Sequence, residues 1–316
     1  MSYQKVAAKA IPKVSFTVSN LEKAIAFYTQ VLPFELENQF VWEGENINAL
    51  FGLADKNLKI KVVQLTLKDE KIELMEFVTT IKGRMIPTDS KSNDLWFQHF
   101  AMVVRDMDKA YQSIKNKVNQ ISPEPQTLPD YLGPAADISA FYFKDPDGHI
   151  LELIHLPPEK LDDEFKVEKG LFLGIDHTAI GVSDTAKSAL LYKDIIGLKI
   201  LGGSQNFGTE QENLTQVPDV NMDITLFGTG KGLGIESLEY LHPTNGREYP
   251  ADSQPTDLWH WHITIQVNEL DLIYQTIKKH NFRVISNGIV DLMENMEGKR
   301  GLLIRDMDGH AVLLVE

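Results

Sequence analysis

The sequence predicts an α+β chain built from four βαβββ modules. Three observations predict it. The phrase from Gly83 to His99, "GRMIPTDSKSNDLWFQH", returns from Gly246 to His262 as "GREYPADSQPTDLWHWH", 163 residues later. The turn-like "DPDGH" at Asp145–His149 returns as "DMDGH" at Asp306–His310, 161 residues later. Four stretches then share one pattern of a short strand, a capping residue and an amphipathic helix: "PKVSFTVSNLEKAIAFY", "QHFAMVVRDMDKAYQSI", "DHTAIGVSDTAKSALLY" and "WHITIQVNELDLIYQTI". A chain repeated at a fixed period is a tandem duplication, and each half divides again.

The units are residues 1–160, with modules at about 11–80 and 95–157, and residues 161–316, with modules at about 171–242 and 258–316. The seam between them is the charged, proline-bearing stretch Leu156–Gly170. In the first module, Leu21, Ala24, Ile25, Tyr28 and Leu32 form an apolar stripe at helical spacing. Leu270, Ile273, Tyr274 and Ile277 do the same in the fourth. Asn20, Asp106, Asp184 and Asn268 precede the helices as N-caps. Strand-like segments follow each helix, ending in "KIELMEFV", "HILELIHL", "GLGIESLEYL" and "HAVLLVE".

Side chains alternate across a strand, so each first strand has two readable faces. One carries Val14, Phe16 and Val18; Phe100, Met102 and Val104; Thr178, Ile180 and Val182; or Ile263, Ile265 and Val267. That apolar face packs on the module's helix. The other face begins with Lys13, His99, His177 or His262 and continues with small or polar residues. A sheet face with so little bulk lines a cleft. One such histidine reads as a hydrogen-bonded strand end; three at equivalent positions read as a common role. In the last strands Glu73, Glu152 and Glu236 interrupt apolar runs, and Leu313 holds the fourth equivalent position. Such a glutamate is costly to bury unless it is paired or binds a cation. His and Glu without Cys suit a divalent metal: Zn, Ni, Co, Mn or Fe(II).

Composition narrows the class. The 316 residues are 43% hydrophobic, contain no cysteine and carry a net charge of −14. Disulfides, thiolate ligands and a Cys nucleophile are excluded. No basic stripe suggests a nucleic-acid partner, and no apolar run suggests a membrane span. A cytoplasmic protein, monomeric or homodimeric, with a small-molecule substrate is the expectation.

On "DHTAIGVSD…LYKDIIGLKI", "AFYTQVLPFEL", "DPDGHILEL" and the first-strand histidines, the chain resembles the vicinal oxygen chelate superfamily over nearly its whole length. That superfamily contains glyoxalase I, extradiol dioxygenases, epimerases and bleomycin-resistance proteins. The resemblance implies that modules close in pairs into two half-barrels. It also implies one divalent metal held by first-strand residues and last-strand glutamates. If neighbouring modules pair, the sites are Lys13, Glu73, His99, Glu152 and His177, Glu236, His262, Leu313. If the second and third pair, their set is His99, Glu152, His177 and Glu236, and both defective positions fall in the other site, where Lys13 can pair with Glu73. The complete set is the main candidate, with His262 and Glu73 next.

Implied roles follow. Glu152 or Glu236 is the catalytic base of a lyase or isomerase whose substrate chelates the metal through two oxygens. The alternatives are an Fe(II) extradiol-type dioxygenase and a non-enzymatic binding protein of the bleomycin-resistance type. Arg84 and Arg247 are candidates for holding an anionic substrate, or for a linker salt bridge to Asp89 or Asp252. Trp96 and Trp259 are cleft aromatics or linker packing, and His260 shares the cleft face with His262.

Overall fold

The computed structural model describes residues 6–55 and 57–316. The first module is β1 (Ala8–Thr17), α1 (Leu21–Gln30), β2 (Glu35–Glu43), α2 (Glu45–Phe51), β3 (Lys59–Leu67) and β4 (Glu70–Val78). The second is β5 (Gln98–Val104), α3 (Met107–Ile114), the two-residue strands β6 (Asn119–Gln120) and β7 (Gln126–Thr127), then β8 (Ser139–Lys144) and β9 (Ile150–His155). The short helix α4 (Asp163–Val167) lies in the seam. The third module is β10 (Phe172–Val182), α5 (Thr185–Ala189) running on into a wider turn at Leu190–Ile195, β11 (Lys199–Phe207), α6 (Thr209–Thr215), β12 (Asn221–Gly228) and β13 (Gly234–His242). The fourth is β14 (Trp261–Val267), α7 (Leu270–Lys279), β15 (Val290–Asp291), β16 (Arg300–Arg305) and β17 (Ala311–Val315).

In every module the first strand lies parallel to the last. Modules then join through their first strands, which are antiparallel. β5 pairs β10, joining the second module to the third, and β1 pairs β14, joining the first to the fourth. The result is two half-barrel sheets, each drawing one module from either half of the chain. Neither sheet therefore divides at the seam between residues 160 and 161.

The apolar faces of all four first strands meet one continuous core. Val14, Phe16, Phe100, Met102, Ile180, Val182, Ile263 and Ile265 are buried there with Tyr28, Ile114, Tyr192 and Ile273 from the helical segments. Phe16 stacks on Trp261 at 4.4 Å between ring centroids. Three helices carry the expected caps: Asn20, Asp106 and Asp184 accept backbone N–H bonds from Lys23, Lys109 and Ala186. The fourth departs from expectation. Glu269 occupies the cap position of α7, and Asn268 Oδ1 accepts from Ala7 N at 2.7 Å. Last-strand acids reach helix N-termini as well. Glu76, Glu239 and Glu316 accept from the first helical N–H of Leu21, Thr185 and Leu270, where an anion is favoured.

The repeated linker phrase builds a reciprocal clasp. Arg84 reaches Asp257 at 2.7 Å and Asp252 at 2.9 Å; Arg247 reaches Asp94 at 2.7 Å and Asp89 at 3.0 Å. Each guanidinium also lies over the other linker's indole, Arg84 over Trp259 at 4.7 Å and Arg247 over Trp96 at 4.6 Å. Leu95 N bonds Arg247 O, and Leu258 N bonds Arg84 O. The glycines are required because the backbones touch. A methyl at Gly83 would lie 1.7 Å from Thr256 O, and one at Gly246 would lie 1.7 Å from Asn93 O. Gly83→Ala or Gly246→Ala should each cost about 1–3 kcal/mol or more by forcing the linkers apart. Urea denaturation checks this; an unchanged midpoint in both variants would contradict the clasp.

The Asp-x-Asp-Gly-His turns also tie modules together. His149 touches Asp145 at 2.8 Å and Leu258 O at 2.7 Å. Both partners only accept, so both ring nitrogens carry protons. Burial opposes that charge, but Asp145 outweighs it and raises the His149 pKa. Tyr28 and Tyr192 donate to Asp145 and Asp306.

Candidate metal centre

Strand register brings the second and third modules' polar faces together. His177 of β10 lies opposite Ala101 of β5, and Ala101 lies opposite Glu152 of β9. One row along, His99 lies opposite Ala179, and Ala179 opposite Glu236 of β13. The alanines leave space above the sheet, so the long side chains lean in from both sides.

His99, Glu152 and His177 are buried, and their donor atoms all lie within 4.8 Å of one another. Glu152 Oε2 is 3.0 Å from His99 Nε2 and 3.5 Å from His177 Nε2. Glu236 Oε2 is 3.3 Å from His177 Nε2, outside that group of three. Neither His99 Nε2 nor His177 Nε2 makes a hydrogen bond, although both are buried. Buried polar atoms left this way are costly. Donors bound at ~2.1 Å to one ion stand ~3.0–3.4 Å apart at octahedral or tetrahedral angles. The two Glu152–histidine spacings, 3.0 and 3.5 Å, lie at the two ends of that range. The residues present therefore fit a divalent cation, and this buried His/Glu/His group can hold one.

Asp176 supports the arrangement. Its carboxylate accepts from His177 Nδ1 at 2.7 Å, which orients the ring and turns Nε2 toward the group. Electrostatics separate the two glutamates. Burial raises the Glu152 pKa, but His177 and His99 outweigh it and hold the carboxyl down at about 2. Burial pushes Glu236 up to about 7; His177 pulls against that, while Glu152 and Asp176 add to it. Burial, followed by the neighbouring His177, lowers the His99 pKa against the pull of Glu152.

A cavity of about 180 Å³ opens beside these residues, lined in part by Glu152, His177, Glu236, Tyr142, Asn206 and Gln211. The side chain of Glu236 is 23% exposed and that of Glu152 6%.

The first and fourth modules repeat the plan with two losses. Glu73 and His262 both lie opposite Ser15, and Thr264 lies opposite both Lys13 and Leu313. Lys13 Nζ sits 2.5 Å from Glu73, which also accepts from Ser15 and Gln64. Glu73 is thus committed to an ammonium and two hydrogen bonds. Leu313 belongs to an apolar cluster with Trp42, Phe51, Met75 and Met296 that fills this half-barrel. His262 is buried beside His260, with 5.7 Å between ring centroids, and neither ring makes a hydrogen bond. Burial lowers the His262 pKa to about 4, and Glu73 and Lys13 act on it in opposite directions. Glu73 and His262 were the next candidates as ligands. Among the described residues, the donor group contains neither.

Four further candidates stand elsewhere. Arg84, Arg247, Trp96 and Trp259 form the linker clasp, and none of them lines the cavity beside Glu152. Of the two roles expected of the arginines and tryptophans, their contacts are those of the linker salt bridge and linker packing, Arg84 with Asp252 and Arg247 with Asp89. Each guanidinium is already neutralised by two aspartates, and His260 lies in the filled half-barrel. Sequence reasoning missed Asp176, Tyr142, Asn206 and Gln211. Asp176 had a signal, because it directly precedes a first-strand histidine.

Two family models described as the Glyoxalase/Bleomycin resistance protein/Dioxygenase superfamily match residues 10–153 and 176–297. A 2-epi-5-epi-valiolone epimerase from Actinomyces sp is 30% identical over 154 residues, covering 48% of this chain and 81% of the relative. Glyoxalase I from Zea mays superposes with a TM-score of 0.64 at 16% identity, covering 98% of this chain and 93% of the other. A Bacillus subtilis subsp. subtilis str. 168 structure, provisionally named a dioxygenase, superposes with a TM-score of 0.60 at 14% identity, covering 98% and 85%. At those identities the two structures speak for the fold. No helix among the described residues is long and apolar enough to cross a membrane.

Proposed function

The chain belongs to the glyoxalase/bleomycin resistance protein/dioxygenase superfamily, and from that premise we propose that it is a metal-dependent enzyme of isomerase type. Its substrate is small and oxygenated, and the reaction moves a proton on a carbon beside a carbonyl. One observation carries the reading: two histidine nitrogens and a glutamate oxygen converge, buried and without hydrogen-bond partners on the nitrogens, beside a cavity that Glu152 and His177 line. His99, Glu152 and His177 would hold the metal. When bound, it would supply Lewis-acid polarisation of the substrate carbonyl.

Glu236 is the base. It stands outside the group of three, and it is the more exposed carboxylate at the cavity. A carboxylate in that position can take a proton from one face of the substrate and return it. Glu236 lies 3.3 Å from His177 Nε2, beside the place the metal would occupy, and Asp176 fixes the His177 ring from Nδ1. The epimerase relative supports this class, since an epimerase inverts a stereocentre. The same two-histidine, one-carboxylate donor set also suits Fe(II), so an oxygen-using reaction is the second reading.

The test begins with metal analysis of protein purified without an affinity tag. About one divalent equivalent per chain is expected. A panel of α-hydroxy ketones is then followed for deuterium uptake from heavy water, before and after stripping by a chelator and re-addition of metal. Exchange that is lost on stripping and recovered on re-addition supports the proposal. Oxygen uptake with catechols would replace it by the dioxygenase reading, and a metal-free protein without exchange would make it a binding protein.

A further inference from the structure

We infer that Asn206 and Gln211 form a hydroxyl-recognising subsite for an uncharged substrate, in the same cavity as Glu152, His177 and Glu236. The inference deepens the proposed function and rests on it for the metal end of the cavity alone.

The first observation is the pair itself. Asn206 is the penultimate residue of β11, Gln211 lies on α6, and both line the cavity while being 4% and 1% exposed. Asn206 Nδ2 donates to Gln211 Oε1 at 3.1 Å, and Gln211 Nε2 contacts the Met222 sulfur at 3.4 Å, a poor acceptor. Asn206 Oδ1 has no partner. Whichever way the two amides are turned, they cannot satisfy each other fully, and a buried amide atom without a partner is costly. A ligand hydroxyl, which both donates and accepts, supplies what is missing.

The second observation comes from the duplication. Gly44 and Gly208 occupy the same place before α2 and α6, both at positive φ. Counting from them, Trp42 and Ile47 stand where Asn206 and Gln211 stand. Register agrees, for Trp42 pairs Ile60 as Asn206 pairs Met222. Trp42 and Ile47 sit in the apolar cluster that fills the first half-barrel. The scaffold therefore accepts an apolar pair at these positions and packs it. Folding does not demand the amides, and they occur in the copy that keeps a cavity.

The third observation sets the charge of the ligand. Among the described residues, no lysine or arginine lines this cavity, while two glutamates do. Arg84 and Arg247 are spent on the linker clasp. An anionic substrate would enter a site with nothing but a bound metal to neutralise it. At about 180 Å³ the cavity also falls below the ~300–1,000 Å³ typical of sites for drug-sized ligands. A small, uncharged, hydroxyl-bearing molecule fits these walls.

The test uses isothermal titration of the metal-loaded full chain with two probes of similar size, myo-inositol and D-glucuronate. Wild type should bind the uncharged polyol more tightly than the acid. Asn206→Leu should weaken polyol binding about tenfold, the loss of a hydrogen bond or two, with metal content unchanged. Gln211→Ile, which copies Ile47 of the first module, should act in the same direction and guards against misfolding of the first variant. Unchanged polyol affinity in both variants, tighter binding of glucuronate, or binding of neither probe would overturn the inference. A metal-free wild type whose polyol affinity still falls on Asn206→Leu would sink the metal reading and leave this subsite standing.

Discussion

Glu152→Gln and Glu236→Gln should each lower turnover by about 10²–10⁴-fold, and only the first should strip the metal. The difference follows from position. Glu152 lies between His99 and His177, 3.0 and 3.5 Å from their nitrogens, and both histidines hold its carboxyl ionised, with a pKa at about 2. An amide there removes the one negative donor of the group. Metal affinity should fall by at least the ~10–100-fold seen when a mere supporting residue is lost. Glu236 touches only His177 of the three and keeps nearly a quarter of its side chain open to the cavity. An amide there leaves His99, Glu152 and His177 intact and removes the proton acceptor. Metal analysis after dialysis, run beside solvent-deuterium exchange, separates the two outcomes. Full exchange activity in both variants would end the proton-transfer mechanism. Loss of metal in both would make Glu236 a ligand instead of a base.

Lys13→Met should destabilise the fold by about 3–5 kcal/mol. Lys13 is 3% exposed and Glu73 is wholly buried, with 2.5 Å between ammonium and carboxylate. Removing the cation strands a charge in an interior where Trp42, Phe51, Met75 and Leu313 pack nearby. Ser15 and Gln64 still donate to Glu73, but two neutral hydrogen bonds do not replace a positive charge. Lys13→Met with Glu73→Leu should recover most of the loss, because a buried pair exchanged for apolar side chains of similar size is often neutral or better. Urea denaturation of the two variants gives the comparison. If the single variant matches wild type, Lys13 does not do here what a metal would do in the other half-barrel.

Much of the fold was legible. The first strands alternate from Phe100 to Val104 and from Ile263 to Val267, and these residues are buried as the alternation requires. The caps at Asn20, Asp106 and Asp184 were legible because capping is a local bond between residues two or three apart. Glu269 was not, because its left-handed backbone has no residue-type signature. The repeated linker was visible as a motif, with a salt bridge to Asp89 or Asp252 among its readings, but the crossing of the two copies was not. Arg84 finds Asp252 and Asp257, far along the chain in the other copy, and only the folded molecule distinguishes such a pair from a substrate anchor.

By itself, the sequence determined the number of modules, the cleft-facing side of each first strand and the two positions, Lys13 and Leu313, where a ligand is missing. These follow from periods of two and 3.6 residues and from a repeat near 160, which any linear reading recovers. Only the tertiary structure decided that the second module joins the third, because β5 meets β10 through backbone hydrogen bonds that every residue type can make. It alone decided that one half-barrel is packed shut around Trp42 while the other stays open beside Asn206. Whether a cavity exists depends on the summed volume of side chains arriving from several strands, and no single stretch of chain records that sum.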